Sequence, residues 1–205
     1  MGQQYYNIAL QFAEEINSEM LGPILLELAV LSFNFKNYPQ AMALFEQGLL
    51  NFIETPEEEV EATNTKHILS LFVMLTECYF NTKQHQRGIE FLLDCLKRTE
   101  GRKEHTELFP SLMLSVGEFT YALKDYPACI GYLEQGLARA EGTDLPPDLA
   151  MLYNYYLAWG NVKAERNEQA VKYLERYLDA AKVAKAPVES TLESIMSLVI
   201  CYKEQ

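Results

Sequence analysis

The apolar residues of this chain recur at helical spacing along almost its whole length. Ile68, Leu71, Phe72, Leu75 and Tyr79 are separated by steps of three and four, which places them in one stripe along a helix. No run alternates apolar and polar residues in the way that predicts a strand. The pattern therefore predicts an all-α chain of ten helices, near residues 3–18, 22–35, 39–53, 56–82, 86–99, 106–123, 127–141, 146–164, 167–184 and 188–204.

One stretch of this pattern occurs twice. Residues 38–49 return as residues 126–137, with six of the twelve positions identical and most of the others small or apolar in both copies. Internal repetition of this kind is typical of an array of similar units. We therefore interpret the chain first as a repeat protein.

The second helix of each predicted pair carries a small residue at a fixed position. A large apolar residue follows four positions later, and a leucine four positions after that. The small residues are Ala41, Gly88, Cys129 and Ala170, and the residues that follow them are Phe45, Leu92, Leu133 and Leu174, then Leu49, Leu96, Leu137 and Leu178. The first helices carry a second small column, for example at Ala29 and Gly117. Small residues in both helices allow two backbones to cross closely.

These columns resemble the tetratricopeptide repeat (TPR), in which a first helix carries Trp, Leu-Gly and Tyr positions and a second helix carries a small residue and an aromatic one. Tyr79 keeps the Tyr position, and Val116-Gly117 comes nearest to the Leu-Gly pair. Tyr38 and Tyr126 keep the turn position before the second helix. The small residues recur after 47, 41 and 41 positions, against the usual 34. The chain is therefore identified as a degenerate, long-period member of the family.

The resemblance implies an all-α, right-handed TPR-like α-α superhelix (solenoid) of about ten antiparallel helices. We expect one domain over residues 1–205, with a half repeat at 1–20, repeats at about 21–55, 56–102, 103–143 and 144–186, and a terminal helix at 187–205. The two terminal half repeats are interpreted either as caps or as the cut ends of a segment from a longer protein.

The resemblance also implies a binding site, because TPR arrays hold ligands on a concave surface lined by the first helix of each pair. The predicted groove residues combine aromatic rings, two acids and two amides. They are Phe33, Asn34, Glu77, Phe80, Asn81, Glu118, Tyr121, Tyr155 and Trp159. The rings could anchor large side chains of a ligand, the acids could face a basic residue, and the amides could hold a peptide backbone. Inter-helix packing, solvated acids and helix capping are alternative interpretations of the same residues.

Charge and cysteine content limit the partners. Acids outnumber bases by 29 to 17, which gives a net charge of −12 and a field that repels phosphate backbones and anionic lipids. We predict a protein or peptide ligand, basic or apolar, with no direct nucleic-acid or membrane partner. The four cysteines form no Cys-x-x-Cys pair and fit reduced thiols in a cytoplasmic protein. No metal site and no cofactor are predicted.

Catalytic motifs are absent from the sequence: the three histidines are scattered, and no phosphate-binding glycine loop or nucleophile elbow occurs. We therefore predict that the chain is not an enzyme but a non-catalytic protein–protein interaction scaffold that binds a peptide or helix. The alternative is the ligand-sensing TPR domain of a bacterial peptide-responsive regulator whose output domain lies outside this chain. A third hypothesis is a homodimer formed through an open solenoid end.

Overall fold

The computed structural model describes residues 18–54, 65–101, 108–140, 145–184 and 188–203. Every regular element in these ranges is an α-helix, which confirms the predicted all-α class. The nine helices described are α1 (Ser18–Asn34), α2 (Tyr38–Glu54), α3 (Thr65–Thr82), α4 (His85–Arg98), α5 (Leu108–Ala122), α6 (Tyr126–Arg139), α7 (Pro147–Lys163), α8 (Asn167–Ala184) and α9 (Val188–Lys203). The predicted helix near 3–18, apart from Ser18, and the first part of the predicted helix near 56–82 lie outside the described residues.

The chain divides into two compact units, residues 1–108 and 109–205, which we name unit 1 and unit 2. The described part of unit 1 contains helices α1 to α4. The described part of unit 2 contains α5 to α9, except that the first residue of α5, Leu108, belongs to unit 1. The predictions of one domain over residues 1–205 and of its repeat boundaries stay predictions.

In unit 1, α1 packs against α2, and α2 packs against α3. The stripe predicted for α3 forms part of the core, because Ile68, Leu71, Phe72, Leu75 and Tyr79 are all at most 2% exposed. Burying each such side chain stabilises the fold by about 1.5–3 kcal/mol relative to leaving it exposed. The apolar stripe in the sequence is therefore the face of α3 that is buried in the core.

A polar clip, formed by Glu46, Tyr79 and Arg87, joins three helices of unit 1. The Tyr79 hydroxyl of α3 donates a hydrogen bond of 2.6 Å to one carboxylate oxygen of Glu46 on α2. The Arg87 guanidinium of α4 pairs with the other oxygen, also at 2.6 Å. Burial is the largest cause that raises the pKa of Tyr79, followed by its bond to Glu46. The hydroxyl is therefore a permanent donor, and the carboxylate holds α2, α3 and α4 together.

Unit 2 joins three helices by a different arrangement, which we name the glycine crossing. The Tyr153 hydroxyl of α7 donates a hydrogen bond of 2.6 Å to the backbone carbonyl of Pro110 in α5. The tyrosine passes Gly136 of α6 so closely that a Cβ atom at that glycine would lie 2.1 Å from the Tyr153 hydroxyl oxygen. The glycine at position 136 is therefore required by the approach of Tyr153.

Four turns between paired helices share one backbone geometry. Lys36, Lys83, Lys124 and Glu165 have φ of 59°, 56°, 64° and 58°, the left-handed region that glycine tolerates best. In the first turn, the Asn37 N–H bonds the Ser32 carbonyl, and the Lys36 N–H bonds the Phe33 carbonyl; the other three turns repeat both bonds. This is the Schellman motif, with a side chain in place of the usual glycine. The four turns recur after 47, 41 and 41 residues, the intervals that separate the small residues of the aligned columns.

Candidate protein-binding surface

The two aromatic groove residues predicted in unit 1 pack on neighbouring helices. Phe33 lies edge-on to Tyr38 with ring centroids 5.8 Å apart, and Phe80 lies against His85 at 5.0 Å. Each ring therefore packs on the second helix of its own pair. Asn34 is exposed.

The other two polar groove residues of unit 1 lie on α3. Glu77 is exposed. Asn81 is also exposed, and its amide nitrogen donates a hydrogen bond of 2.9 Å to the Glu77 carbonyl one turn earlier. The Asn81 amide thus stabilises the last turn of its own helix.

The predicted groove residues of unit 2 are brought together. Tyr155 is the centre of this group, with ring centroids 5.2 Å from Tyr156, 6.2 Å from Trp159 and 5.5 Å from Tyr177. Tyr121 joins the group through Tyr156, at 5.6 Å. The contacts are edge-to-face or tilted, the arrangements that aromatic rings prefer. We name these five rings, Tyr121, Tyr155, Tyr156, Trp159 and Tyr177, the aromatic cluster.

Two carboxylates accompany the aromatic cluster. Glu118 of α5 is half-buried; burial raises its pKa to about 7, although a hydrogen bond from the Tyr156 hydroxyl acts in the opposite direction. Glu193 of α9 is exposed, and its charge contributes to the raised pKa of both Tyr121 and Tyr155, in each case after burial. The charges acting at the cluster are therefore negative.

Trp159 contributes an unusual polar group to the cluster. The side chain is only 9% exposed, and its indole nitrogen Nε1 has no hydrogen-bond partner among the described residues. A buried donor without an acceptor costs about 1–3 kcal/mol. The position of this ring therefore leaves one buried donor without an acceptor in the described part of the chain.

Tyr156 and Tyr177 belong to the cluster but were not among the predicted groove residues. Tyr177 lies in the aligned column of α2, α4, α6 and α8 that otherwise contains Gly48, Cys95 and Gly136. A Cβ atom at Gly48 would lie 2.7 Å from the Leu26 side chain, so that column is sterically restricted. The sequence signal for Tyr177 was its size: a tyrosine in a column of small residues indicates that the fourth helix pair packs differently from the other three.

Two further features lie apart from the predicted groove residues. A cavity of about 440 Å³ in unit 1 is lined by Leu21, Leu25, Gln47, Leu50, Asn51, Glu54 and Arg98. In unit 2, α9 exposes a set of large apolar side chains, Leu192, Ile195, Met196, Val199 and Ile200. The predicted self-association through an open end stays a prediction, which sedimentation at several concentrations would test.

All four cysteines are buried, and burial raises the pKa of Cys78, Cys95 and Cys129 to about 12. No group of three or more His, Cys, Asp or Glu side chains in the described ranges could hold a metal ion. None of the helices described there is long and apolar enough to cross a membrane.

Comparison with solved structures shows the fold. The chain is similar to BtubC (BKLC) from P. vanneervenii, with a TM-score of 0.65 and 16% identity over 96% of this chain and 78% of that one. It is also similar to two structures of the nearly identical TPR-like repeats of a putative kinesin light chain from Podosopora anserina, with TM-scores of 0.60 and 0.58, in both cases at 19% identity over 87% of this chain and 84% of that one. No protein-family model and no curated protein matches the sequence. The predicted TPR-like fold is therefore confirmed at the level of structure.

Proposed function

We propose that this TPR-like chain is a non-catalytic interaction scaffold that binds a peptide or helix of a partner protein at the aromatic cluster of unit 2. The observation that carries the proposal is the convergence of Glu118, Tyr121, Tyr155 and Trp159, which were selected from different repeats by groove position alone. Aromatic side chains of this kind are the usual anchors of protein interfaces.

Two features of the cluster are poorly explained by packing alone. A carboxyl group whose pKa is raised by burial, as for Glu118, destabilises the fold when it is ionised. The indole N–H of Trp159 lacks an acceptor among the described residues. An apolar residue at either position would avoid these costs, and sites that break a local rule in this way are often functional.

The TPR-like fold of the similar structures supports the non-catalytic part of the proposal, because repeat arrays offer extended surfaces for partners. The alternative, a peptide-sensing domain of a bacterial regulator, depends on asparagine amides that grip a peptide backbone. The Asn81 amide already donates to the Glu77 carbonyl. We therefore favour the scaffold and keep the regulator as the alternative.

The proposal can be tested with the fluorescence of Trp159, the single tryptophan of the chain. A library of peptides with varied charge is titrated against the protein, and the emission change gives the affinity of each. We expect at least one peptide to bind saturably and to lose most of its affinity in Tyr155→Ala and Glu118→Lys.

Matched controls separate a local effect from unfolding. Tyr132→Ala removes a half-buried tyrosine of the same unit outside the cluster, and Glu77→Lys reverses an exposed acid in the corresponding column of unit 1. Both should keep the affinity of the wild type, and circular dichroism should show equal helix content in all variants. Binding that survives Tyr155→Ala and Glu118→Lys unchanged would refute the assignment of the surface.

A further inference from the structure

The aromatic cluster and its carboxylates together have the chemistry of a site for an organic cation. Resting on the proposed function, we infer that the cluster takes the cationic side chain of a lysine or arginine in the partner peptide. Tyr121, Tyr155 and Trp159 form the aromatic walls of this site. Glu118 and Glu193 supply its negative charge.

The rings provide the first part of the argument. Tyr121 and Tyr155 are only half-buried, so part of each ring is open to solvent, while Trp159 next to Tyr155 is almost fully enclosed. Aromatic faces attract a cation that lies within about 6 Å of the ring centroid, and the attraction strengthens as water is removed. Two partly open rings beside an enclosed one offer a cationic side chain an aromatic surface that solvent reaches.

The charges provide the second part. Two carboxylates act electrostatically on the cluster, Glu118 on α5 and Glu193 on α9, and the hydroxyl groups of Tyr126, Tyr156 and Tyr177 act on it from α6, α7 and α8. Cys129 of α6 also lies within electrostatic range of Glu118, but burial keeps its thiol protonated. A bound cation would be attracted by both Glu118 and Glu193 and would offset part of their negative charge, with only partial screening by solvent.

The Trp159 indole provides the third part, because it favours a peptide over a free amine. Its N–H is buried and has no acceptor among the residues that the structure describes. A backbone carbonyl of a peptide ligand is a suitable acceptor for this donor. A lysine or arginine residue can offer both groups at once, its carbonyl to the indole and its cation to the carboxylates.

Unit 1 offers a natural comparison for this site. Glu77 occupies the column of Glu118 there, but it is exposed, and the column that contains Tyr155 in unit 2 contains Val73. Val73 is 63% exposed. An exposed acid such as Glu77 is well solvated, so we expect no cation site there.

The experiment uses three blocked tripeptides that differ only in the central side chain: acetyl-Ala-Lys-Ala-amide, acetyl-Ala-Arg-Ala-amide and the neutral acetyl-Ala-norleucine-Ala-amide. Each is titrated against the full chain at constant ionic strength, with Trp159 emission as the readout. We expect saturable changes with the lysine and arginine peptides and at least tenfold weaker binding of the norleucine peptide. Glu118→Gln should weaken the lysine peptide by about tenfold, the effect of one lost charge interaction of ordinary strength, and Glu77→Gln should leave it unchanged.

The pH dependence gives a second readout. Because Glu118 titrates near neutral pH in the empty site, the affinity for the lysine peptide should rise from pH 6 to pH 8 in the wild type. The rise should be smaller in Glu118→Gln. Equal binding of the norleucine peptide would show an apolar site, and no binding of any tripeptide would show that the cluster has no cation site; either result overturns the cation inference.

The two proposals fail separately. If the tripeptides show no charge preference but library peptides still bind and lose affinity in Tyr155→Ala, the cation inference is wrong and the scaffold proposal stands. If no library peptide binds at the cluster, the scaffold proposal is wrong as well.

Discussion

Units 1 and 2 have similar helix pairs, but they use their tyrosines differently. In unit 1, Tyr79 points into the fold and bonds Glu46, which also holds Arg87. In unit 2, Asn161 and Gln169 occupy the columns of Tyr79 and Arg87. The Asn161 amide donates to the Leu157 carbonyl of its own helix at 2.7 Å, and Glu134, in the column of Glu46, is exposed.

Unit 2 therefore lacks the residues of the polar clip in two of the three corresponding columns. Its helices α5, α6 and α7 are joined by the glycine crossing of Tyr153 instead. Four of its tyrosines join the aromatic cluster, and one of them, Tyr155, lies in the column where unit 1 has Leu26 and Val73. The comparison teaches that one repeat register can hold a polar clip between helices in one unit and a cluster of aromatic rings in another. Changes that alter the clip, the crossing or the cluster should consequently have different effects.

The largest effect is expected at the glycine crossing. Gly136→Ala would place a methyl group 2.1 Å from the Tyr153 hydroxyl oxygen and 3.0 Å from Met113. Overpacking of this kind typically costs about 1–3 kcal/mol, and we expect the upper end because the hydrogen bond to Pro110 would also be strained. Urea unfolding measures the change. Gly131→Ala is the matched control on the same helix, where an added Cβ has no neighbour within 4 Å; it should stabilise the fold by about 0.5–1 kcal/mol.

A Glu118→Gln variant should change how stability depends on pH. The pKa of Glu118 is raised from 4.5 to about 7 in the folded chain, so the folded state binds the proton more tightly than the unfolded state. Stability from this group is present at low pH and is lost as pH rises through 7. Between pH 5 and pH 8, the wild type should lose about 2 kcal/mol relative to Glu118→Gln. Parallel pH curves for the two proteins would contradict the raised pKa.

The polar clip of unit 1 should contribute somewhat less. Tyr79→Phe removes the donor to Glu46 while Arg87 keeps its contact, and we expect a loss of about 1–2 kcal/mol, in the range for a hydrogen bond to a charged group. Tyr132→Phe is the control, because its hydroxyl has no partner among the described residues, and it should be nearly neutral. A Tyr79→Phe protein as stable as the control would show that the clip adds little.

The smallest effect is expected at the turns. Lys83 has φ of 56°, a conformation that costs a residue with a side chain about 1 kcal/mol. Lys83→Gly removes this cost but makes the unfolded chain more flexible, so the net gain should be about 0.5 kcal/mol. A β-branched residue is less tolerant of the same conformation, so Lys83→Val should be destabilising in thermal unfolding. The opposite order of the two variants would contradict the turn geometry.

The sequence contained enough to predict the helices and their pairing, because local periodicity and small residues determine both. Ala41, Cys129 and Ala170 are fully buried, as a close helix crossing requires. The bond between Tyr79 and Glu46 could not be predicted, since it joins residues 33 positions apart and depends on side-chain geometry.

Side-chain packing decides which of the predicted groove residues gather in the candidate site. The groove columns placed Glu118, Tyr121, Tyr155 and Trp159 on one surface, but they gave the same rank to Phe33 and Phe80, which pack on their own pairs. Tyr177 was missed because its column normally contains small residues. Column position predicts which face a residue occupies, whereas clustering depends on the size of its neighbours.

The most direct test of the binding surface is the indole N–H resonance of Trp159 in a two-dimensional ¹H–¹⁵N spectrum, where the chain gives a single signal of this type. With the tightest-binding library peptide added, the account predicts that this signal moves downfield, as its donor acquires an acceptor. If the peptide binds while the Trp159 resonance stays in place, the aromatic cluster is not the binding surface.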